Sequence, residues 1–85
     1  MLQGAKVAST GVAVDLSTTD FLVQTNTAPT PSAALYVGVS GDVKVDMADS
    51  GIGITFKALS VDWHPLAVRK IYKTGTTATD IVYVK

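Results

Sequence analysis

Cysteine and glutamate are absent from this 85-residue chain, histidine and tryptophan occur once each, and only three prolines are present. Without cysteine there is no disulfide framework, no thiolate nucleophile and no thiolate zinc site, and a single histidine leaves too few ligands for the remaining zinc arrangements. Neither a metal nor a cofactor is expected. Net charge is lacking too: seven Lys and Arg balance seven Asp, for a formal charge of zero and a sequence pI near 6.5. Nucleic-acid binding draws on an excess of cations, so no nucleic-acid partner is expected. No apolar run approaches the roughly 20 residues of a membrane-spanning helix, and residues 1–14 lack the apolar centre of a secretion signal. The sequence therefore predicts a soluble, unprocessed chain with no membrane partner, and its length allows one domain, since compact domains rarely fall below about 50 residues.

What is present is β-branched. Twelve Val, eleven Thr and four Ile favour extended backbone, because their stiff side chains crowd a helical turn. No window carries apolar residues at helical spacing over three turns, so the expected class is all-β, a small antiparallel β-barrel or β-sandwich. Alternation locates the strands. Leu35, Val37 and Val39 point one way and Tyr36 and Gly38 the other; Ser40, Gly41 and Asp42 supply turn chemistry before Val43, Val45 and Met47, which predicts a β-hairpin. Asp49, Ser50 and Gly51 make the next turn, and Ile52, Ile54, Phe56 and Ala58 alternate along a third strand. Leu66 and Val68 continue an inward set, but Arg69 and Lys70 stand together before Ile71, which predicts a bulge there. In the last strand, residues 80–85, Ile81 and Tyr83 oppose Val82 and Val84; with both sets apolar, cover on both faces is expected.

Residues 1–33 differ in kind. Ser, Thr, Gln, Asn, Ala and Pro dominate, Pro29 and Pro31 hold residues 25–32 extended as a linker, and residues 12–16 and 21–23 are short β-capable pieces without a marked hairpin turn. This segment is expected to be an extended N-terminal arm, leaving residues 34–85 as the body. A body of that size buries just under ~60% of the surface its unfolded chain exposes, so self-association is expected, with the arm clasping a neighbour.

Residues with chemistry to offer are few. Asp42, Asp46 and Asp49 do not take the alternating oxygen-ligand spacing of a calcium loop, because Val43, Val45 and Met47 occupy the core-facing positions between them. Trp63, His64 and Pro65 hold the only Trp and the only His; with no acid, base and nucleophile in a supporting context, catalysis is not expected, and the tripeptide reads as a loop whose Trp packs on its own core or on a partner. Arg69, Lys70, Tyr72 and Lys73 gather cations near the C-terminus, and are expected to guard a strand edge or meet an acidic partner. The glycines fit neither phosphate-loop pattern and mark turns.

Taken in order, ALYVG at 34–38, GDVKV at 41–45, ITFK at 54–57, VRKI at 68–71 and TGTTATDIV at 74–82, behind a proline-bearing polar segment, resemble a family of short proteins of tailed phages, prophages and gene transfer agents: head spike base or capsid-associated decoration proteins. The resemblance runs from Pro31 to the C-terminus. It implies an all-β body on the exterior of an icosahedral head, a homo-oligomer (trimer or pentamer), no enzyme activity, and the major capsid protein and other head spike or fibre proteins as partners. Independently of the resemblance, the contact residues expected from the sequence are Phe21, Leu22 and Val23 of the arm with Tyr36, Trp63, His64, Tyr72 and Tyr83. A chain without excess positive charge suits the outside of a shell better than the side facing the genome. The rival expectation is a carbohydrate- or receptor-binding module, in which Trp63, Tyr36, Tyr72 and Tyr83 supply stacking faces and Asp residues bind hydroxyls.

Overall fold

The computed structural model describes residues 8–85, so the part of the expected arm before residue 8 lies outside the described residues. Eight strands form: β1 (Gly11–Ala13), β2 (Phe21–Leu22), β3 (Ala34–Val39), β4 (Gly41–Met47), β5 (Ile54–Leu59), β6 (Asp62–His64), β7 (Val68–Ile71) and β8 (Thr79–Val84). They make two antiparallel four-stranded sheets, the first in the order β1-β8-β3-β6 and the second β2-β7-β4-β5. The small all-β class expected from the Val, Thr and Ile content is what the chain adopts. Leu35, Val37, Val43, Val45, Val68 and Ile71 are wholly buried where the sheets face each other, with Val23, Ala78, Ile81 and Tyr83 beside them.

Between β3 and β4 the expectation is overturned. The two strands do not pair as a hairpin: β3 lies between β8 and β6, and β4 between β7 and β5. The chain turns a corner at Ser40 and passes from one sheet to the other, and the inward sets on either side of it then point into the same core. Close packing fixes that corner, since a Cβ on Gly41 would lie 2.6 Å from the Ala78 nitrogen and one on Gly38 would lie 2.7 Å from the Asp80 Cβ. The 74–80 segment is docked over it: Lys44 N donates to Thr76 Oγ1, Asp42 N to Thr77 Oγ1, and Thr77 N to the Asp42 carbonyl.

Two other expectations hold. The turn at Asp49, Ser50 and Gly51 joins β4 to β5, although β5 begins at Ile54 and Ile52 is exposed. On β7, Lys70 faces Asp46 and Val68 faces Met47, so Arg69 is the extra residue of a bulge. That is how Val68 and Ile71, three positions apart, both reach the core. Arg69 Nε donates back to the Met47 carbonyl at 3.1 Å. A second bulge sets Asp42 of β4 against Lys57 and Ala58 of β5.

The segment expected as an arm belongs, from residue 8 onward, to the sandwich itself. β1 adds to β8 and β2 to β7, Val23 is core, and Val12, Val14, Leu16 and Phe21 pack against the core. Ser32 closes the linker: its hydroxyl donates to the Leu66 carbonyl and accepts from Val68 N, and its own N donates to the Val68 carbonyl. Two open strand edges of the chain's own sheets explain the folding back, because an extended segment with alternating apolar residues satisfies both backbone and core there. The body is therefore larger than residues 34–85, and the case for self-association from a marginal core no longer stands.

Candidate interaction surface

The two outer faces of the sandwich differ in chemistry. Each inward residue alternates with an outward one, so the register across the first sheet aligns Ala13 with Val82, Val82 with Tyr36, and Tyr36 with Trp63. One row thus crosses all four strands without a charge. Beside it run Gly11, Val84 and Ala34. On the second sheet the corresponding row is Leu22, Lys70 and Asp46, with Lys44 opposite Thr55 next to it.

Trp63 is the prominent group of the uncharged row; one step along the same face, Asp80 of β8 lies against Gly38 of β3. Trp63 is 55% exposed and meets Tyr36 edge-on, with centroids 5.2 Å apart. The expected loop at Trp63 and His64 is instead strand β6, an edge strand on β3; Leu66 N donating to the His64 carbonyl then turns the chain away. His64 itself uses Nε2 on the Ser60 carbonyl at 2.9 Å. Pairing with β3 fixes Trp63 outward, because the next residue takes the inward position.

Other expected contact residues fall elsewhere. Val23 and Tyr83 are buried in the core, and Phe21 packs its ring against Tyr83 with centroids 5.8 Å apart, so neither Val23 nor Tyr83 offers a surface to a partner. Leu22 is exposed on the second sheet. Tyr72 is on the second sheet too, its ring approached by Lys44 Nζ at 4.9 Å and Lys70 Nζ at 4.6 Å. Stacking by four aromatic residues is thereby reduced to Tyr36 and Trp63. The basic cluster also changes role: β7 is flanked by β2 and β4 and is no edge, whereas the free edge of β5 carries Lys57 and the Ala58 bulge. Charge and a bulge at that edge oppose strand addition.

Asp42 and Asp46 are each engaged within the second sheet. Asp42 Oδ1 accepts from Ala58 N at 2.9 Å, and Asp46 Oδ1 accepts from Gly53 N at 2.8 Å and from the Tyr72 hydroxyl at 2.7 Å. Burial opposes the Asp46 charge, but the hydrogen bonds from Tyr72 and Gly53, with Lys70 and Arg69 nearby, outweigh it and hold this carboxyl below the ordinary range. The same bond, with burial and the Asp46 charge, pushes the Tyr72 phenol up.

A cleft of about 370 Å³ opens between the crossover that follows β1 and the segment that leads into β8. Val14, Leu16, Ala78 and Ile81 give it apolar walls; Lys73, Thr79 and Asp80 bring polar groups to it. Asp80 is held at φ 55, a left-handed conformation that Asp tolerates better than most residues. Sequence reasoning singled out neither this cleft nor the uncharged row as a unit. The signal for the row was present in the double apolar set of residues 81–84; the cleft has none, since it forms where two crossovers far apart in the chain meet.

Compared with protein-family models, curated protein sequences and solved structures, the chain matches none.

Proposed function

We propose that this chain is a non-enzymatic structural protein of the exterior of a tailed-phage head, seated by the outer face of its first sheet. The observation that carries the reading is the uncharged row Ala13, Val82, Tyr36 and Trp63, on a chain whose other outer face bears Lys44, Lys70 and Asp46. The expected cover for Val82 and Val84 is not given by a third layer, since the described residues form two sheets only. An uncharged row with an exposed Trp suits a protein surface, where aromatic anchors carry most of the binding energy. The resemblance of residues 31–85 to head-associated proteins supplies the class of partner: the major capsid protein.

Four strands about 4.8 Å apart give a face on the order of 400 Å². Twice that is below the roughly 1,200 Å² of a stable pairwise complex. Seating on a shell compensates, because copies linked to one another bind a repeating lattice far more tightly than one copy does. Co-sedimentation with purified heads tests the proposal: the wild-type chain is expected in the pellet, Val82→Lys in the supernatant, and Leu22→Lys, on the opposite sheet, in the pellet. A wild-type chain that stays in the supernatant, or Val82→Lys that pellets undiminished, overturns it.

The exposure of Trp63 beside Tyr36 supports one further reading, a glycan stacked on this aromatic pair. Glycan-array signals that disappear in Trp63→Ala, with no head binding, would favour it.

A further inference from the structure

Asp15, Asp20, Asp42, Asp46 and Asp62 each accept a backbone N–H, so each carboxylate has a place inside the fold. Asp80 accepts none among the described residues, and neither it nor Lys73 makes an ion pair there. Its position is nevertheless costly. The Asp80 backbone is left-handed at φ 55, and a Cβ on Gly38, its neighbour across the ladder, would lie 2.7 Å from the Asp80 Cβ and 2.9 Å from the Asp80 carbonyl oxygen. Glycine at 38 is what admits it. A left-handed residue and a glycine within a strand are both unfavourable, and such geometry with no internal bond in return is characteristic of binding sites.

Asp80 and Lys73 line one cleft of about 370 Å³, with Val14, Leu16, Ala78 and Ile81 as its apolar walls. We propose that this cleft binds a free aliphatic amino acid, its carboxylate toward Lys73, its ammonium toward Asp80 and its side chain between the walls.

The charges select the ligand. An anion drawn by Lys73 is opposed by Asp80, and a cation drawn by Asp80 is opposed by Lys73, whereas a molecule with both signs gains from each. A zwitterion is favoured. Flat and phosphorylated ligands are not, because no aromatic ring among the lining residues offers a stacking face and no Arg presents the planar fork that holds a phosphate in two places. Aliphatic walls suit an aliphatic chain. A volume near the small end of the roughly 300–1,000 Å³ of small-molecule sites suits one amino acid better than a peptide. The frame is also fixed beforehand: Val14 N donates to the Ile81 carbonyl at 2.8 Å, and Lys73 N donates to Asp20 Oδ1 at 2.7 Å. Little ordering is left for binding to oppose. The inference goes beyond head attachment and does not rest on it, since seating by the uncharged row needs no ligand in the cleft.

Nitrogen–proton NMR correlation spectra of the full chain, titrated with L-leucine, test it. Saturable shifts are expected at Val14, Leu16, Thr79 and Ile81, with a Kd on the order of 1 mM. Each feature of the ligand has its own control: isocaproate lacks the ammonium, isopentylamine the carboxylate, and glycine the aliphatic chain. The first two should bind about threefold more weakly or worse, and glycine about tenfold or worse. Lys73→Gln should weaken leucine about threefold and leave isopentylamine no weaker. Asp80→Asn, which keeps a residue at home in the left-handed region, should weaken leucine to a similar degree and leave isocaproate no weaker. Equal loss of every ligand in both variants would mean a deformed cleft and overturns the inference. Leucine shifts that do not saturate by about 20 mM, or that spare Val14 and Ile81, overturn it as well, and so does isocaproate or isopentylamine bound as tightly as leucine.

Discussion

The Tyr72 hydroxyl donates to Asp46 Oδ1 at 2.7 Å, joining β4 to the residue just beyond β7 on the charged face of the second sheet. Around it, Gly53 N donates to the same oxygen, Tyr72 N donates to the Lys44 carbonyl, and Lys70, which approaches the Tyr72 ring, lies 3.5 Å from Asp20. The pair makes the stability of the sheet depend on pH at both ends. Asp46 is depressed in the folded chain, so its contribution is complete above the ordinary carboxylate pKa of about 3.9 and is lost as pH falls through the lower folded value. Tyr72 is raised, so its contribution is complete below about 10 and is lost as pH rises through the higher folded value. Tyr72→Phe should therefore be less stable than wild type throughout the neutral range, with the difference shrinking toward both extremes. Denaturant unfolding measured from acid to alkaline pH checks this; a pH-independent difference would contradict it.

Ser32 gives the second prediction. Its hydroxyl is a buried bridge, donating to the Leu66 carbonyl at 2.7 Å and accepting from Val68 N at 2.9 Å. Ser32→Ala leaves both backbone groups without that partner, and an unsatisfied buried group costs about 1–3 kcal/mol. Urea unfolding should show a loss in that range with an unchanged slope. A loss below about 0.5 kcal/mol would mean that water replaces the hydroxyl and that the linker is held by other contacts.

How much of this was legible depends on whether the deciding contact was local. Val68 and Ile71, both apolar with two cations between them, announced the Arg69 bulge because a strand can bury both only by adding a residue. Asp49, Ser50 and Gly51 announced the β4 to β5 turn, where Gly51 takes φ 116. Ser40 and Gly41 carried the same vocabulary, yet a hairpin and a corner between sheets both require two alternating runs separated by small residues. What separates them is the packing of Ala78 on Gly41, from a segment more than thirty residues away. β6 was hidden for a similar reason: three residues before a proline are too few for a pattern, and only pairing with β3 makes them a strand. The row across the first sheet needed register as well as alternation. Val82 and Tyr36 each looked outward in isolation, but their alignment with Ala13 and Trp63 is a property of the ladder.

Ala58 carries the last prediction. It sits in the β5 bulge at φ 51, where an L side chain crowds the following carbonyl and costs roughly 1–2 kcal/mol. The conformation persists because the bulge turns Ala58 N toward Asp42 Oδ1, 2.9 Å away, and so satisfies a donor that the β4 ladder leaves free. Ala58→Gly removes the crowding at the expense of a more flexible unfolded chain, an offset of about 0.5–1 kcal/mol, so the net should be a gain of about 0.5–1 kcal/mol. Asp42→Ala should act in the opposite direction by freeing the amide, and in the double variant the glycine should recover only part of that loss. Thermal and urea unfolding of the three variants measures the signs. A destabilised Ala58→Gly would show that the left-handed residue is held by side-chain packing at the β5 edge and not by the Asp42 bond.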